Sequence, residues 1–327
     1  MGVFLAGIDI GGTKCAVSLG TPRQGAIEII DKAQFPTPSV PDEALCVLVD
    51  KLKELLSAHL ESSLAAVGIS CGGPLDAGLG LVQSPPNLPG WDNIDVVTPF
   101  ARAFDVPCAL ENDANACGLA EWRWGAGKGC KHMAFLTFGT GLGAGLVLNG
   151  KLYAGANGMA GEVGHIRLEH DGPVGYGKAG SFEGFCSGGG IAQLAKSYAC
   201  LALGEGKTPA YCAGEDGLEG ITTRDVGLAA QQGDPTALAV FGEVARKLGQ
   251  GLSTLIDILN PERIVIGSIF LRQEALLRPG MMEVLRREAL SHSLRVCEIV
   301  PAGLGEKVGD YAALAVAMEA GEYDTNA

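Results

Sequence analysis

The sequence predicts an α/β protein of two units, each opening with short strands around a glycine turn. Residues 133–150, MAFLTFGTGLGAGLVLNG, form an apolar run that breaks at Gly139-Thr140-Gly141 and resumes at Leu146. A second turn, Asp9-Ile10-Gly11-Gly12-Thr13-Lys14, follows the apolar run 3–8. Between and after these turns, strand-like runs alternate with segments of helical periodicity. Residues 133–150 carry no charge, but glycines at 139, 141, 143, 145 and 150 would unravel a membrane helix there. Glycine lets the backbone approach a ligand, so the Thr140 hydroxyl and nearby N–H groups could face an anion such as phosphate. One such turn without a ligand is commonplace; the pair carries the reading.

Residues 3–8 and 15–19 read as strands joined through the first glycine turn, with 27–35 a third. Segment 42–60 places Leu45, Leu48, Val49, Leu52, Leu55 and Leu56 on one helical face that packs on this sheet. A buried strand at 64–70 runs into the turn Cys71-Gly72-Gly73-Pro74, and the proline-rich stretch 83–91 is a loop, exposed or lining a cleft. Helix 94–104, strand 106–110 and helix 114–124 follow, the last beginning just after Asn112-Asp113. Beyond the central turn, 155–165 is expected to be a loop ending in a short helical turn, and 172–190 is glycine-rich and irregular, with a helix starting at Gly188. Helices are expected at 222–232 and 236–259 and a buried strand at 263–266, closed by Gly267-Ser268. After another helical segment come a strand at 295–300 and a terminal helix at 310–321. No short-period repeat is present.

A chain of 327 residues can hold two domains and a well-buried core. With 47% apolar and 19% charged residues it is globular. A net charge of −13, without clustered Lys or Arg, argues against a nucleic-acid partner. Ten cysteines without a CxxC pair, and a start, MGVFLAGIDI, that lacks a basic head and cleavage site, point to reduced thiols and a cytoplasmic protein with no membrane anchor. Two other nucleotide signatures fail. Gly206-Lys207-Thr208 has the tail of a P-loop but Leu201 where its first glycine belongs, and Ala144 breaks GxGxxG.

Four motifs together resemble the ROK family of sugar kinases and sugar-responsive repressors. They are Asp9-Ile10-Gly11-Gly12-Thr13-Lys14, Leu110-Glu111-Asn112-Asp113-Ala114-Asn115-Ala116, Gly139-Thr140-Gly141-Leu142-Gly143-Ala144-Gly145 and Gly161-Glu162-Val163-Gly164-His165. Pro86-Asn87-Leu88-Pro89-Gly90-Trp91 and Asn260-Pro261-Glu262-Arg263-Ile264-Val265-Ile266-Gly267 complete the family's order. The resemblance implies a two-lobed, actin-like ATPase (ribonuclease H-like) fold with ATP and sugar in an interdomain cleft and the glycine turns bracketing the ATP phosphates. The smaller lobe is then expected to span 1–112 and 308–327, the larger 113–307. A homodimer is also implied.

Phosphoryl transfer needs charge neutralised on the phosphates and a hydroxyl aligned with the γ-phosphorus. Asp9, ending a strand beside a glycine turn, suits Mg²⁺ held through water, although a turn-forming Asp is the plainer alternative. Gly11, Gly12, Thr13, Gly139, Thr140, Gly141 and Gly267 correspond to family positions at the nucleotide; Lys14 is either near the phosphates or only a surface lysine. Asp113 is the candidate base for the sugar hydroxyl's proton, at a predicted helix start where the dipole keeps a carboxylate ionised. Asn112 or Asp113 could also cap that helix. Gly73, Asn87, Asn112, Glu162, His165 and Glu183 match positions around the sugar, and Glu162 and His165, three apart, share one face of a helical turn. Asn87 as a turn residue and Glu183 as a surface acid are the alternatives.

Many members carry CxCGxxGCxE, which binds structural Zn²⁺ together with the motif histidine. Here the stretch is Val174-Gly175-Tyr176-Gly177-Lys178-Ala179-Gly180-Ser181-Phe182-Glu183, without the three thiolates, so no zinc is expected. Another group must then hold His165, with a backbone carbonyl and Tyr176 as candidates. The reading is an ATP- and Mg²⁺-dependent kinase of a primary hexose hydroxyl, with glucose or an N-acylhexosamine such as N-acetylmannosamine as acceptor. The alternative is a catalytically silent sugar-binding or sugar-sensing regulator. A repressor is disfavoured because the first motif begins at residue 9, leaving no room for a helix-turn-helix.

Overall fold

The computed structural model describes residues 2–59 and 62–323. In chain order the elements are β1 (Gly2–Ile10), β2 (Lys14–Arg23), β3 (Ala26–Pro36), α1 (Pro41–Ser57), β4 (Ser62–Cys71), β5 (Leu75–Asp76), β6 (Leu81–Gln83), β7 (Asp92–Asp95), α2 (Thr98–Phe104), β8 (Cys108–Asn112) and α3 (Asp113–Trp124). They continue with β9 (Met133–Leu136), β10 (Ala144–Leu148), β11 (Lys151–Leu152), β12 (Val174–Gly175), β13 (Lys178–Ala179), α4 (Phe182–Phe185) and α5 (Gly188–Gly204). The rest are α6 (Thr223–Gln231), α7 (Pro235–Leu259), β14 (Arg263–Ile266), α8 (Ile269–Glu288), α9 (Ser291–Val296), β15 (Glu298–Pro301) and α10 (Val308–Ala320).

These elements form two compact units. The first holds residues 1–131, 145–160 and 303–327, the second 132–144 and 161–302. Helix α3 stays with the first unit because its Ala116, Leu119 and Ala120 pack against Ala312, Ala315 and Val316 of α10. The sequence expectation had placed it in the C-terminal lobe.

In the first unit five strands lie in the order β3-β2-β1-β4-β8. The glycine turn at 11–13 folds β2 back antiparallel on β1, pairing Ile10 with Cys15, while β4 and β8 continue the sheet in parallel. Parallel strands end at the same edge, which brings Asp9 beside Ser70 and Cys71 beside Asn112. One face of the sheet is covered by Leu45, Leu48 and Leu52 of α1, packed with Ile8, Val17 and Ile69. The other takes Leu314, Ala317 and Met318 of α10 against Leu5 and Ala66.

In the second unit β14 runs parallel to both β9 and β15. Helix α7 buries Val240, Phe241, Val244, Leu248, Leu252 and Ile256 along one face, as its helical periodicity dictates.

Two expected elements come out differently. Residues 94–104 are not one helix: Asp92–Asp95 is a strand, and Thr98–Phe104 is a helix starting with proline in its first turn. The Asp95 carboxylate accepts from the Val97 and Thr98 N–H groups, which turns the chain between them. The expected strand 295–300 begins later, as Glu298–Pro301, because Ser291–Val296 is helical. Helix α1 closes at Ser57; Leu60, where it was expected to end, lies outside the described residues. Among the described residues no helix is long and apolar enough to cross a membrane.

Candidate active site

The first unit gathers Asp9, the Gly11–Lys14 turn, Gly73, Asn87, Asn112 and Asp113 at one sheet edge. The turn is closed by the Gly11 N–H donating to the Lys14 carbonyl at 3.1 Å, leaving Gly12, Thr13 and Lys14 exposed. The main-chain oxygen of Asn87 stands so close to Gly12 that a Cβ there would meet it at 2.2 Å. Only glycine fits, so the 83–91 loop is seated directly on the turn. A Cβ on Gly72 would lie 3.5 Å from Asn87 Oδ1 and 3.8 Å from Asp113 Oδ2, and one on Gly73 would lie 3.1 Å from Asn112 Nδ2. The Asn87, Asn112 and Asp113 side chains therefore lie around the Gly72-Gly73 turn.

Strand β8 passes directly into α3, and that corner places Asn112 and Asp113 side by side. Asn112 Oδ1 caps the helix by accepting the Ala114 N–H at 2.9 Å. Asp113 Oδ1 accepts the same N–H at 2.8 Å, so its other oxygen, Oδ2, is the one left to face a ligand. Capping and an outward carboxylate coexist here. Glu111 Oε1 holds the corner from behind, accepting the Asn112 N–H at 2.8 Å and Asn115 Nδ2 at 2.9 Å. Glu111 and Asn115 stood in the recognised motif without a role; their four-residue spacing across the strand–helix junction was the available signal.

Both aspartates titrate above the ordinary carboxylate range. The Asp9 carboxyl is pushed up to about 6, first by burial and then by the nearby Asp113 charge, against the pull of Lys14. Solvent reaches the Asp113 side chain, yet desolvation by the protein around its carboxyl raises it, offset in part by the Ala114 N–H. Burial, then Asp113 and Asp9, raise the Cys71 thiol, so it stays protonated. An edge with two mutually repelling carboxylates and an outlying lysine fits a magnesium–phosphate ligand, whose cation would offset that repulsion.

The second unit brings the other predicted residues together. Its glycine turn is closed by the Gly139 N–H on the Gly141 carbonyl at 3.1 Å and by the Gly143 N–H on Thr137 Oγ1 at 3.0 Å, with Thr140 exposed at the tip. Gly267-Ser268 lies beside it: the Gly267 N–H donates to Leu136 O and the Ile269 N–H to Phe138 O. The Gly188 N–H at the start of α5 donates to Gly139 O at 2.7 Å. Glu162 precedes and His165 ends a 3-10 turn over Val163–His165, and both are exposed. Glu183, half-buried at the start of α4, accepts the Leu142 N–H at 3.0 Å through Oε2.

The stretch 174–179 is a hairpin of β12 and β13 with exposed Tyr176 at its tip. Hydrogen bonds hold it: Arg167 Nη1 donates to the carbonyls of His170 and Ala179, and Gln193 bonds both main-chain groups of Val174. Ser181 caps α4 through the Gly184 N–H. Neither candidate holds the His165 imidazole, for which the described residues offer no hydrogen bond. Instead Lys178 Nζ donates to the His165 main-chain oxygen at 2.7 Å and fixes the turn beneath it. Sequence reasoning missed Lys178, which offers no pattern beyond its place in the stretch. Among the described residues no three His, Cys, Asp or Glu side chains cluster as metal ligands.

Comparison with known proteins matches these features to one family. The ROK family profile covers residues 5–320. A glucokinase of Halalkalibacterium halodurans is 35% identical over 84% of this chain and 83% of its own length. The N-acetylmannosamine kinase of Escherichia coli is 34% identical over 80% of this chain and 81% of its own. Among solved structures, the ROK glucokinase from Streptomyces griseus in complex with glucose and AMPPNP superposes with a TM-score of 0.75 at 30% identity, covering 98% of this chain and all (100%) of that one. With its motifs in order, its sheets built as described and the family profile spanning almost its whole length, the chain has the actin-like ATPase fold and belongs to the ROK family.

Proposed function

We propose that this protein is an ATP- and Mg²⁺-dependent kinase that phosphorylates a primary hydroxyl of a hexose, glucose or an N-acylhexosamine such as N-acetylmannosamine. The observation that carries the reading is Asp113: a carboxylate with one oxygen fixed by the helix and the other, Oδ2, beside Gly72 and the Asn87 side chain. Its raised pKa, caused first by desolvation, makes it a stronger base than an ordinary aspartate. Asp113 Oδ2 takes the proton of the attacking hydroxyl as the sugar oxygen bonds to the γ-phosphorus and the β–γ bridge bond breaks. Asn87, Asn112, Glu162, His165 and Glu183 orient the ring by pairing its hydroxyls, each of which would cost affinity if buried without a partner. Main-chain N–H groups of the Gly11–Lys14 and Gly139–Gly141 turns, with the Thr13 and Thr140 hydroxyls, cradle phosphate oxygens, Lys14 adds positive charge, and Gly267 lets the nucleotide approach closely. Asp9 would hold Mg²⁺ through water. When bound, the ion neutralises phosphate charge.

Relatives named glucokinase and N-acetylmannosamine kinase support the acceptor class. Ten cysteines, all unpaired, support a reducing cytoplasmic location. The family resemblance supports a homodimer, and the net charge of −13 supports the absence of a nucleic-acid partner. A coupled ADP-release assay with glucose, N-acetylmannosamine, N-acetylglucosamine, fructose and allose tests the reading. Turnover with glucose or N-acetylmannosamine is expected; sugar binding without turnover on any of them would replace the kinase with a silent sugar sensor.

A further inference from the structure

Glu183 matches a sugar-holding position, yet its carboxylate is already committed in part. Oε2 accepts the Leu142 N–H at 3.0 Å, inside the glycine turn proposed for phosphate. The contact is close: a Cβ on Gly141 would come within 2.9 Å of the same oxygen. Behind it, a Cβ on Gly164 would meet the Leu142 carbonyl at 2.2 Å and the Glu183 Cβ at 3.1 Å, so the turn that carries Glu162 and His165 is packed against both residues. The Glu183 side chain thus stands between the proposed sugar-holding residues of this unit and its proposed phosphate turn. On the opposite flank the turn is tied by the main-chain bond from Gly188 to Gly139. Glu183 supplies the only side-chain bond to the Leu142 N–H among the described residues.

We propose that Glu183 is a positioning residue for the nucleotide: by accepting the Leu142 N–H it sets the shape of the glycine turn, and its second oxygen, Oε1, serves the sugar. The inference rests on the kinase reading above and adds to it a link between the two ligands carried by one carboxylate. An N–H that lost this acceptor would be free to rotate, and the Thr140 and Gly141 N–H groups would lose the arrangement that suits phosphate oxygens. A sugar that draws on Oε1 restrains the same side chain, so acceptor binding stiffens the turn.

The test compares Glu183→Gln, which keeps a carbonyl oxygen for Leu142 but loses the charge, with Glu183→Ala, which loses both. AMPPNP affinity is measured calorimetrically without sugar, hexose KM is measured with ATP, and thermal unfolding checks folding. Expected are AMPPNP binding within about twofold of wild type for Glu183→Gln and weakened about fivefold or more for Glu183→Ala, with hexose KM raised in both. Should Glu183→Ala fail to fold, Glu183→Asp, whose shorter side chain withdraws the oxygen from Leu142, takes its place with the same expected loss. Equal AMPPNP affinity in wild type, Gln and Ala (or Asp) variants would overturn the inference and leave Glu183 a sugar ligand alone. An equal loss in both variants would also overturn it, since charge and not the acceptor would then matter. If wild type itself binds no AMPPNP, the kinase reading fails first and the inference falls with it.

Discussion

The main-chain oxygen of Asn87 fills the space in which any side chain on Gly12 would sit, 2.2 Å from an added Cβ. A proline-rich loop and a glycine turn, distant in sequence, are thereby locked together. Gly12→Ala must push one of them away. The expected result is a folded protein whose hexose KM and ATP KM both rise and whose kcat/KM falls about 10²-fold, because reacting groups displaced by about an ångström lose alignment. Steady-state kinetics in both substrates checks this; a rise in only one KM would show that the two segments move independently.

Asp9 is held at a cost to the unliganded fold. Its carboxyl titrates at about 6 in place of the usual 3.8, because burial and Asp113 penalise the charged form. A raised folded-state pKa means the native state binds more protons than the unfolded chain between those values, so its contribution to stability falls as pH rises through 6. Asp9→Asn, which has no charge to bury, is expected to be more stable than wild type at pH 7.5 by about 1–2 kcal/mol, after allowance for solvent reaching the carboxyl. The gap should close below about pH 4, where the wild-type carboxyl is neutral in both states. Denaturant unfolding at several pH values measures it.

Lys178 supports the His165 turn from its main-chain side, with Nζ 2.7 Å from the His165 oxygen. Lys178→Met keeps the length of the side chain and loses the donor. Hexose KM is expected to rise about fivefold with kcat within about twofold, the signature of looser ground-state positioning. Kinetics with the preferred hexose decides it.

Glu121 is fully buried (0% exposed) within α3 and accepts three main-chain N–H groups, those of Ala126, Gly303 and Leu304, at 2.8 to 2.9 Å. Glu121→Ala removes the acceptor from all three and leaves a cavity. A loss of about 3 kcal/mol or more in urea unfolding is expected, with Glu121→Gln intermediate because its amide offers a single oxygen.

The sequence made the turns and their flanking strands legible because glycine and apolar runs report backbone needs directly. Asp9, Gly12, Asn112 and Asp113 are legible through the motifs that resemble the family, and the structure brings them to one sheet edge. Residues 94–104 misled because Ile94, Val96, Val97 and Phe100 satisfy a helical period, while Asp95, which bonds the Val97 and Thr98 N–H groups, stops the strand and restarts the chain as α2. Residues 295–300 misled in the same way, an apolar β-branched stretch whose first part is claimed by the helix Ser291–Val296. Glu121, Lys178 and the Glu183–Leu142 contact were out of reach. Their partners are main-chain atoms, which leave no residue type to read.

Asp113 as the base is the step on which turnover depends. Asp113→Asn preserves the shape of the corner and an oxygen for the Ala114 N–H, but it cannot take a proton. Glucose or N-acetylmannosamine binding, whichever the wild type uses, should be retained within about threefold while kcat falls about 10²–10⁴-fold. An Asp113→Asn enzyme that turns over at the wild-type rate would contradict the mechanism.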